Sequence, residues 1–575
     1  MTVAPGRHII SSVNRRLLIA LQVLLVVAIT IVAFYPTLSN GFTNWDDPEL
    51  LLGNESIKSL SGSSLQAWFT HSYGGFGGYT PLVFLSYALE YRAAGLDPRA
   101  FHLDNLVLHC LNTVLVGALV LLISGNVWVG FLTALLFGVH PLHVEAVAWI
   151  PGRKDLLFSL FFLAAAISYL VHLRRQGRTS AFYALSLLFF CCSLLSKVAA
   201  VSFPLVALAL ESHERHILDR KTLRRLAPFL ALAAVFLALA FVTMRSSPYG
   251  IPAPRIPRTY WQNLGLFFYA FVFYLSKIFM PLRLSPRYPA DIGGYPADLL
   301  LNGVVFVLAC AFLAIAYRRR RELARFGVAF FVFTILPTLP FHFAGQPYAD
   351  RYVYLPAASV LAIVAAFLLD RPSGPVRSYR TRIAGTLGVL IVLLFGGLTW
   401  TSSRVWHDSL SLWTRVLRID PRSPLALLNR GLAYSDAGEL DSALADFDAG
   451  EKIDQANANF PLNRGAVYFK KGEYDKALRD FDRTLALDPN SELGYINRAI
   501  LWGRLRQFPG AVQDCTKALE INPVSFRAFY YRGLAYKEMD AVDRALADFR
   551  AAYRISPSEE IRREIESLSR RRSSS

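Results

Sequence analysis

A period of 34 residues runs through the C-terminal part of the chain. The segments NRGLAY, NRGAVY, NRAILW and YRGLAY begin at Asn429, Asn463, Asn497 and Tyr531, each 34 residues after the one before. Repetition at this interval indicates stacked helix pairs, because a single pair cannot bury its apolar face without neighbours. The period therefore predicts an all-helical solenoid for this region.

Three further series keep the same interval and identify the kind of repeat. Gly/Ala-x-x-Tyr in the first helix, Ala-x-x-x-Phe in the second and a closing proline form the tetratricopeptide pattern. The small residues let paired helices approach closely, and proline cannot continue a helix. The series are Ala443, Ala477, Ala511 and Ala545; Asp446, Asp480, Asp514 and Asp548; and Pro421, Pro489, Pro523 and Pro557, with Gln455 in place of one proline.

Apolar runs dominate the first 400 residues. With 54% hydrophobic residues, the chain is too apolar for a soluble globule of 575 residues. Runs of about 20 apolar residues predict transmembrane helices, whose backbone groups are satisfied internally. Eleven spans are predicted, at 17–35, 106–124, 127–147, 156–173, 181–195, 198–210, 226–244, 299–317, 326–341, 352–369 and 383–400.

The net charge of +18 would suggest nucleic-acid binding in a soluble protein. Here much of the positive charge lies in short loops at 174–178, 215–225, 318–321 and 371–382. Cytoplasmic loops of membrane proteins carry such an excess. We therefore expect no nucleic-acid partner, a multi-pass protein of the cell membrane with a cytoplasmic N-terminus, and an extracytoplasmic repeat region. A further crossing at the apolar segment 264–280 would place the basic loop 318–321 outside the cytoplasm. We therefore expect this segment to be re-entrant or interfacial.

The composition divides the chain into four parts. Residues 1–403 form the transmembrane domain, and its first outer loop, 36–105, is far longer than a connector needs to be. Residues 404–423 form a linker with a half-repeat, because Ser409 and Trp413 lie one period before Ala443 and Phe447. Four repeats occupy 424–559, and 560–575 is a basic, serine-rich tail.

The first outer loop carries two adjacent carboxylates just beyond the first span. Asp46 and Asp47 stand in GFTNWDDPEL, and the glycine-rich aromatic patch SYGGFGGYTPL follows at 72–82. Paired carboxylates suit general-base chemistry or binding of a divalent cation. The alternative is an Asp-Asp-Pro turn that caps a short surface helix.

The second outer loop reads HPLHVEAVAWIPGRKDLL, from His140 to Leu157. His140, His143 and Glu145 resemble metal ligands in their spacing, although Pro141 disrupts the helix that would place the two histidines on one face. A polar site for a substrate or a phosphate is the favoured interpretation, since ionisable groups at a span end are expensive unless they are used. Arg153 and Asp155 belong to the same predicted site.

Two more polar insertions emerge on the same membrane face. Lys197 interrupts LLSKVAAVSFP, and QPYADRYVYLP places Asp350, Arg351 and Tyr352 at the entry to another span. Either cation alone could simply extend its charge to the membrane surface. Together with the two outer loops, they predict a site of carboxylates and cations that suits an anion attached to a lipid.

These motifs together resemble the transmembrane-and-tetratricopeptide-repeat O-mannosyltransferases, within the GT-C superfamily of polyprenyl-phosphate-sugar-dependent glycosyltransferases. The resemblance covers nearly the whole chain: the Asp-Asp pair, HPLHVEAVAWIPGRKDLL, LLSKVAA, ADRYVYLP and the tandem repeats. It implies an all-α fold, with a GT-C-like polytopic domain followed by the repeat solenoid. It also implies transfer of a mannose-like sugar to a hydroxyl acceptor, such as protein Ser or Thr, on the extracytoplasmic face.

The resemblance implies roles for individual residues. Asp46 or Asp47 would be the base that deprotonates the acceptor hydroxyl, and the displacement would invert the anomeric centre. Arg153, Lys197 and Arg351 would hold the departing phosphate, because cations stabilise its charge in the transition state. The donor would be a polyprenyl-phosphate sugar with its tail among membrane lipids. No cofactor is implied with certainty, and superfamily members differ in their need for a divalent cation.

The repeats carry their own predicted binding residues. Asn429, Asn463 and Asn497 offer both a donor and an acceptor at one repeat position, which suits an extended polypeptide backbone. A similar Asn series in nucleocytoplasmic O-GlcNAc transferases implies a polypeptide acceptor or a protein partner. The alternative is that these residues only satisfy neighbouring helix groups. Two other functions stay open: a non-catalytic membrane-anchored repeat scaffold, and a transporter or assembly factor for lipid-linked glycans.

Overall fold

The structure is a computed structural model that describes residues 12–70, 78–175, 180–215, 219–245, 260–289, 296–319, 321–339, 348–369 and 377–574. Across these ranges it is helical and contains no β-strand, which confirms the predicted all-α fold class. The chain divides into two compact units, one ending at Ile419 and the other beginning at Asp420. This boundary lies inside the predicted linker.

The described part of the first unit contains sixteen α-helices. They are α1 Ser12–Phe34, α2 Gly62–Thr70, α3 Pro81–Ala94, α4 Pro98–Ser124, α5 Val127–Gly138, α6 Val144–Ala148, α7 Arg153–Arg174, α8 Ser180–Ser196, α9 Phe203–Arg215, α10 Arg220–Arg245, α11 Tyr260–Phe279, α12 Pro296–Arg319, α13 Arg321–Ile335, α14 Tyr354–Leu368, α15 Arg377–Ser403 and α16 Ser409–Ile419. Short helices lie at Tyr35–Ser39, Pro48–Leu52, Glu55–Lys58, Pro141–His143, Ile150–Gly152, Val198–Ser202, Leu336–Thr338, Asp350–Val353 and Arg404–Trp406.

The first unit is that of a multi-pass membrane protein. In the described ranges, seven helices are long and apolar enough to cross a membrane, or eight if the bent pair Val127–Gly138 and Pro141–Ala148 is one span. Two further apolar helices, Ser180–Ser196 and Gly265–Phe279, are shorter. The eleven-span count, the assignment of 264–280 and the orientation of the termini stay predictions.

Burial separates the central helices from the peripheral ones. The spans at Ile150–Arg174 and Asp350–Leu368 are 72% and 78% buried, whereas those at Leu300–Arg318 and Gly385–Trp406 are each 17% buried. Small residues allow close approach within a membrane, and α14 carries five alanines. The polar segments that precede α7 and α14 are therefore held by the most deeply packed helices of the unit.

The first outer loop is an ordered subdomain in its described part. Its apolar side chains pack with the starts of α4 and α7 into one cluster. The buried members are Leu51, Ile57, Trp68, Val83, Phe84, Tyr87, Ala88, Phe101, Ile150 and Leu157. Residues 72–77 of the predicted aromatic patch lie outside the described residues. The cluster therefore holds the segment that carries Asp46 and Asp47 in a fixed position.

The second unit consists of four helix pairs and a final helix. These are α17 Pro424–Asp436, α18 Leu440–Ile453, α19 Asn459–Lys470, α20 Tyr474–Leu487, α21 Glu492–Arg504, α22 Phe508–Ile521, α23 Phe526–Glu538, α24 Val542–Ile555 and α25 Glu559–Ser574. The predicted basic tail is thus part of α25, which packs against α24 through Ile561 and Leu568.

Glycine and phenylalanine interlock within the repeats. A Cβ atom at Gly431 would lie 2.5 Å from the ring of Phe447, and one at Gly465 would lie 2.8 Å from the ring of Phe481. The third repeat has Ala499 at the glycine position and pairs it with the smaller Cys515. Helix approach in each repeat therefore depends on the combined volume of two side chains.

An ion pair also recurs in every repeat. The arginine that follows the Asn or Tyr of each repeat donates through Nε and one terminal nitrogen to an aspartate 16 residues later, at 2.6–2.9 Å. Bidentate pairs of this kind are among the stronger charged interactions. The pairs are Arg430–Asp446, Arg464–Asp480, Arg498–Asp514 and Arg532–Asp548.

Candidate functional site

The two adjacent aspartates occupy different environments. Asp47 is 1% exposed, and its Oδ2 accepts hydrogen bonds from the backbone N–H of Thr43 at 2.6 Å and from the Thr43 hydroxyl at 3.1 Å. Burial raises the pKa of Asp47 to about 7, although the hydrogen bonds from Thr43 oppose this shift. Asp46 is only half-buried. Asp47 therefore shapes the loop, while Asp46 is the carboxylate with access to its surroundings.

The loop that carries these aspartates is fastened to the end of the same unit. Four hydrogen bonds of 2.6–3.1 Å join residues 40–44 to residues 403–413. They run from Gly41 N–H to His407 C=O, Asn40 Nδ2 to Ser403 C=O, Asn44 N–H to Ser409 Oγ, and Trp413 Nε1 to Asn44 Oδ1. The half-repeat helix α16 thus helps to hold the aspartate loop.

Four indole rings pack together at this loop, and one of them is that of the loop residue Trp45. The ring of Trp45 lies 5.4 Å from that of Trp149, 6.1 Å from that of Trp406 and 5.3 Å from that of Trp413. Trp149, Trp406 and Trp413 are each at most 3% exposed. Rings at these separations contribute packing energy beyond their buried area. The cluster joins the aspartate loop to the second outer loop and to α16.

Arg351 and Glu145 form a buried ion pair between the segments that precede α14 and α7. Arg351 Nη1 is bonded to Glu145 Oε1, and the Arg351 backbone N–H donates to Glu145 Oε2 at 2.9 Å. The guanidinium carbon lies 5.2 Å from the ring centre of Trp149 and 4.9 Å from that of Tyr352. Cation–π contacts are strengthened when they are shielded from water.

Lys197 and Asp155 form a second pair beside the first. Lys197 Nζ is bonded to Asp155 Oδ1, and it lies 5.2 Å from the ring centre of Tyr352. Asp155 is 3% exposed, whereas Lys197 is half-buried. The structure therefore brings together five predicted site residues: Glu145, Asp155, Lys197, Arg351 and Tyr352.

Lys154 belongs to this group, although the sequence did not single it out. Its Nζ lies 5.5 Å from the ring centre of Trp149, and the charges that act on it are those of Arg351, Asp46, Asp155 and Lys197. The signal that could have found it was its position between Arg153 and Asp155. On a helix start, adjacent residues point in different directions, and the sequence does not reveal which of two neighbouring cations faces a site.

Arg153 points to a different environment. Its side chain is fully buried and bonded to Glu90, while its Nε donates to Asn105 Oδ1 at 2.8 Å and its Nη2 to Phe101 C=O at 2.7 Å. Breaking such a network to bind a ligand would leave buried partners unsatisfied. Its predicted contact with a phosphate stays a prediction, and the geometry favours a structural role.

His143 and Asp350 are buried residues of the segments that carry Glu145 and Arg351. Nδ1 of His143 donates to Phe137 C=O at 2.8 Å, and its ring lies 4.2 Å from that of Phe137, fully buried. Asp350 is 4% exposed and accepts a 2.8 Å hydrogen bond from the Tyr288 hydroxyl. Within the described ranges, no three His, Cys, Asp or Glu side chains converge closely enough to hold a metal ion.

The asparagine series lies on the first helices of successive repeats, which pack against one another. Asn429 Nδ2 donates to Leu425 C=O at 3.0 Å, and Asn463 Nδ2 donates to Asn459 C=O at 2.7 Å. These bonds within single helices agree with the structural alternative. The role of Asn429, Asn463 and Asn497 in binding an acceptor stays a prediction.

Comparison with known protein families identifies the kind of repeat and its position in the chain. Models of the tetratricopeptide repeat match residues 402–458, 462–491 and 496–560. Among solved structures, the chain is similar to the crystal structure of MamA protein, with 24% identity, a TM-score of 0.24, and coverage of 26% of this chain and 80% of MamA.

Curated relatives extend into the membrane unit. The protein O-mannosyl-transferase Tmtc2 of Drosophila melanogaster is 31% identical over 281 residues, which cover 45% of this chain and 29% of the relative. The protein O-mannosyl-transferase TMTC1 of Homo sapiens is 25% identical over 456 residues, or 69% of this chain and 51% of the relative. F38B6.6 of Caenorhabditis elegans, of the same description, is 22% identical over 72% of this chain and 60% of its own length. The chain spans less than two thirds of each of these relatives.

Proposed function

This chain belongs to the protein O-mannosyl-transferase family that carries transmembrane helices and tetratricopeptide repeats, and we propose that it is a membrane glycosyltransferase. It moves a mannose-like sugar from a polyprenyl phosphate to a hydroxyl acceptor, on the extracytoplasmic side of the membrane. The observation that carries this proposal is the half-buried Asp46, whose charge acts on Lys154, together with Arg351 and Lys197, whose charges act on the same lysine.

Asp46 is the proposed base. Its carboxylate accepts the proton of the acceptor hydroxyl, the hydroxyl oxygen attacks the anomeric carbon, and the bond from that carbon to the phosphate oxygen breaks. The electron pair of that bond stays on the polyprenyl phosphate. Asp47 is less suited to this step, because it is 1% exposed and burial favours its protonated form. Its bonds to Thr43 instead fix the turn that presents Asp46.

The phosphate of the donor is proposed to meet Arg351 and Lys197. Glu145 and Asp155 hold these cations in place, and both cations lie about 5 Å from the ring centre of Tyr352. Fixed cations stabilise the charge that develops on a leaving phosphate at little reorganisation cost. Asp350 and His143 fix the same segments through hydrogen bonds with the Tyr288 hydroxyl and Phe137 C=O. Arg153 anchors the start of α7 to α3 and α4 through Glu90 and Asn105.

The repeats are proposed to bind a polypeptide acceptor or a protein partner. Stacked first helices of such repeats line an extended concave surface. An acceptor protein held there by its backbone would present Ser or Thr hydroxyls whatever the surrounding side chains. This orientation requires the repeats and the aspartate loop on the same, extracytoplasmic side, as the basic loops predict.

Transfer from a labelled donor tests the proposal. Membranes that contain the wild-type protein are incubated with labelled polyprenyl-phosphate mannose and an acceptor polypeptide, next to Asp46→Asn, Asp47→Asn and Glu49→Gln variants at matched abundance. Glu49 is an exposed acid of the same loop and serves as the control. We expect transfer by the wild type and by Glu49→Gln, and at least ~100-fold less by Asp46→Asn, since general bases contribute about 10²–10⁴-fold.

Three outcomes would overturn this proposal or its assignment of the base. If Asp46→Asn keeps wild-type transfer, Asp46 is not the base. If the wild type transfers no sugar but moves labelled lipid between the leaflets of sealed vesicles, the protein is a transporter. A wild type that does neither while it captures partners through its repeats is a scaffold.

A further inference from the structure

We propose that Lys154 binds the phosphate of the polyprenyl-linked donor, as the cation of the site that is not paired with a carboxylate. This inference rests on the proposed function and adds to it a residue and a ligand group. Neither the predicted site residues nor the comparisons assign Lys154 any role.

Cations and aromatic rings alternate in a row across the site. Lys154 lies 5.5 Å from the ring centre of Trp149, Arg351 lies 5.2 Å from that of Trp149 and 4.9 Å from that of Tyr352, and Lys197 lies 5.2 Å from that of Tyr352. The rings hold three positive groups close together without neutralising them. Like charges brought this close repel, and such a cluster is stabilised when an anion joins it.

The row has an uneven balance of charge. Arg351 is neutralised by Glu145, and Lys197 is neutralised by Asp155. Among the described residues, no carboxylate lies within ion-pair distance of Lys154, whose nearest charge partners act on it only at longer range. Lys154 is therefore the cation of the row that lacks a paired anion.

The position of Lys154 matches the requirement of the leaving group. The ring of Trp149 lies 5.5 Å from Lys154 Nζ and 5.4 Å from the ring of Trp45, the residue before Asp46, so a phosphate at Lys154 lies on the side of the site that carries the aspartate loop. The phosphate of the donor is a diester with one negative charge, whereas the released polyprenyl phosphate is a monoester that approaches two charges above pH 6. A cation at this point therefore gains interaction energy as the bond breaks, which is the condition for catalysis.

Binding, measured without turnover, tests the inference. A short-chain prenyl monophosphate is titrated by calorimetry into the purified full-length protein in detergent, with the prenyl alcohol, inorganic phosphate and phosphatidic acid as comparison ligands. The variants are Lys154→Gln, which removes the charge but keeps a polar side chain, Lys154→Arg, which keeps the charge, and Asp46→Asn. Lys58→Gln is the matched control, because Lys58 is a lysine of the first outer loop that pairs with Glu55 at the surface.

We expect the wild type to prefer the prenyl monophosphate over the alcohol, inorganic phosphate and phosphatidic acid. Lys154→Gln should bind the monophosphate ~10–100-fold more weakly, the loss expected for one charge-assisted hydrogen bond. Lys154→Arg and Lys58→Gln should bind within about threefold of the wild type, a difference of about 0.7 kcal/mol. Asp46→Asn should bind the monophosphate no more weakly than the wild type, because it removes a negative charge near the proposed phosphate position. The loss in Lys154→Gln should shrink below pH 6, where the monoester carries one charge.

The outcomes separate the two proposals. Unchanged binding by Lys154→Gln would overturn the role of Lys154 and leave the transferase proposal standing. A wild type that binds the monophosphate no better than the alcohol would overturn both the role of Lys154 and the polyprenyl-phosphate donor. Equal binding of phosphatidic acid and the prenyl monophosphate would overturn the donor assignment, because the site would then recognise lipid phosphates in general.

Discussion

The indole N–H of Trp413 donates a 2.6 Å hydrogen bond to Oδ1 of Asn44, two residues before Asp46. The two residues are 369 positions apart, and Trp413 belongs to the half-repeat helix α16, within the membrane unit. Trp413 is fully buried, and its ring contacts that of Trp45. The half-repeat was predicted as part of a linker, and its described contacts make it a support of the aspartate loop.

Replacing Trp413 should therefore affect turnover more than donor binding. Trp413→Phe keeps an aromatic ring but removes the hydrogen bond to Asn44, so the loop should hold Asp46 less accurately. We expect kcat to fall about tenfold with little change in KM for the donor, as a small misplacement of a reacting group reduces turnover. Steady-state kinetics would measure both constants. The control is Trp128→Phe on α5, whose side chain is 47% exposed; a rise in KM alone would contradict the positioning role.

The buried carboxyl of Asp47 should make stability depend on pH. Its pKa is raised from 3.8 to about 7, so the folded protein holds a proton that the unfolded chain releases at lower pH. Stability contributed by this group is therefore highest below pH 4, falls as the pH rises from about 4 to 7, and is constant above, with a slope of at most ~1.4 kcal/mol per pH unit.

Asp47→Asn should remove that slope, because Asn Oδ1 can still accept the bonds from Thr43. The melting temperature of the variant in detergent should match that of the wild type near pH 4 and exceed it at pH 8. Glu49→Gln, in the same loop but exposed, should show no such crossover. A constant difference between Asp47→Asn and the wild type across this range would show that Asp47 does not titrate as described.

The third repeat offers a test of the paired volumes in the solenoid. Cys515→Phe, made alone, should destabilise the repeats by about 1–3 kcal/mol, because Ala499 carries a Cβ where the other repeats have space for the ring. The double variant Ala499→Gly/Cys515→Phe restores the glycine–phenylalanine pair of the other repeats and should recover much of that loss. Urea unfolding followed by circular dichroism would measure it; simple additivity of the two changes would contradict the interlock.

Arg464 should be more important to the solenoid than its surface position suggests. It contacts Asp480 of its own repeat, and also Asp448 and Glu451 of the preceding one, at 2.6–2.8 Å. Arg464→Leu leaves these carboxylates without their cation, at a cost of about 1–3 kcal/mol.

Hydrogen exchange of the full-length protein should report this cost as faster exchange in α19 and α20. Arg464→Lys should recover only part of the protection, because an ammonium group cannot form the two parallel bonds to Asp480. Arg479→Leu, an exposed arginine of α20, is the control. Equal protection in Arg464→Leu and Arg479→Leu would mean that the ion pairs contribute nothing to repeat stability.

The sequence predicted the repeats well because their pattern is local and redundant. Each of Gly431, Gly465 and Gly533 is followed 16 residues later by its phenylalanine, so one repeat explains the next. The membrane unit was predictable in its helices, because apolar length alone marks a span. The arginine–aspartate pairs were missed, although both series were visible, because periodicity does not reveal which positions of two helices face each other.

The candidate site was predictable by segment and less so by side chain. The polar motifs around Glu145, Asp155, Lys197 and Arg351 do converge, since each stands at the end of a predicted span. The difference between Asp46 and Asp47, and that between Arg153 and Lys154, depends on tertiary packing. Adjacent residues point in different directions. The sequence alone does not reveal which of them faces the site, because this depends on the elements that pack around the segment.

The asparagine series gives a test of acceptor selection. A triple variant, Asn429→Ala/Asn463→Ala/Asn497→Ala, removes three backbone-recognising groups from adjacent first helices. If the repeats hold a polypeptide by its backbone, transfer to long polypeptides should fall ~10-fold or more, at about 0.5–1.5 kcal/mol for each lost hydrogen bond. Transfer to a small hydroxyl acceptor should be unchanged, because that acceptor needs only the aspartate loop. Equal loss on both acceptors, or no loss on either, would remove the asparagines from substrate selection and leave them as internal helix contacts, as the bonds of Asn429 and Asn463 to Leu425 and Asn459 already allow.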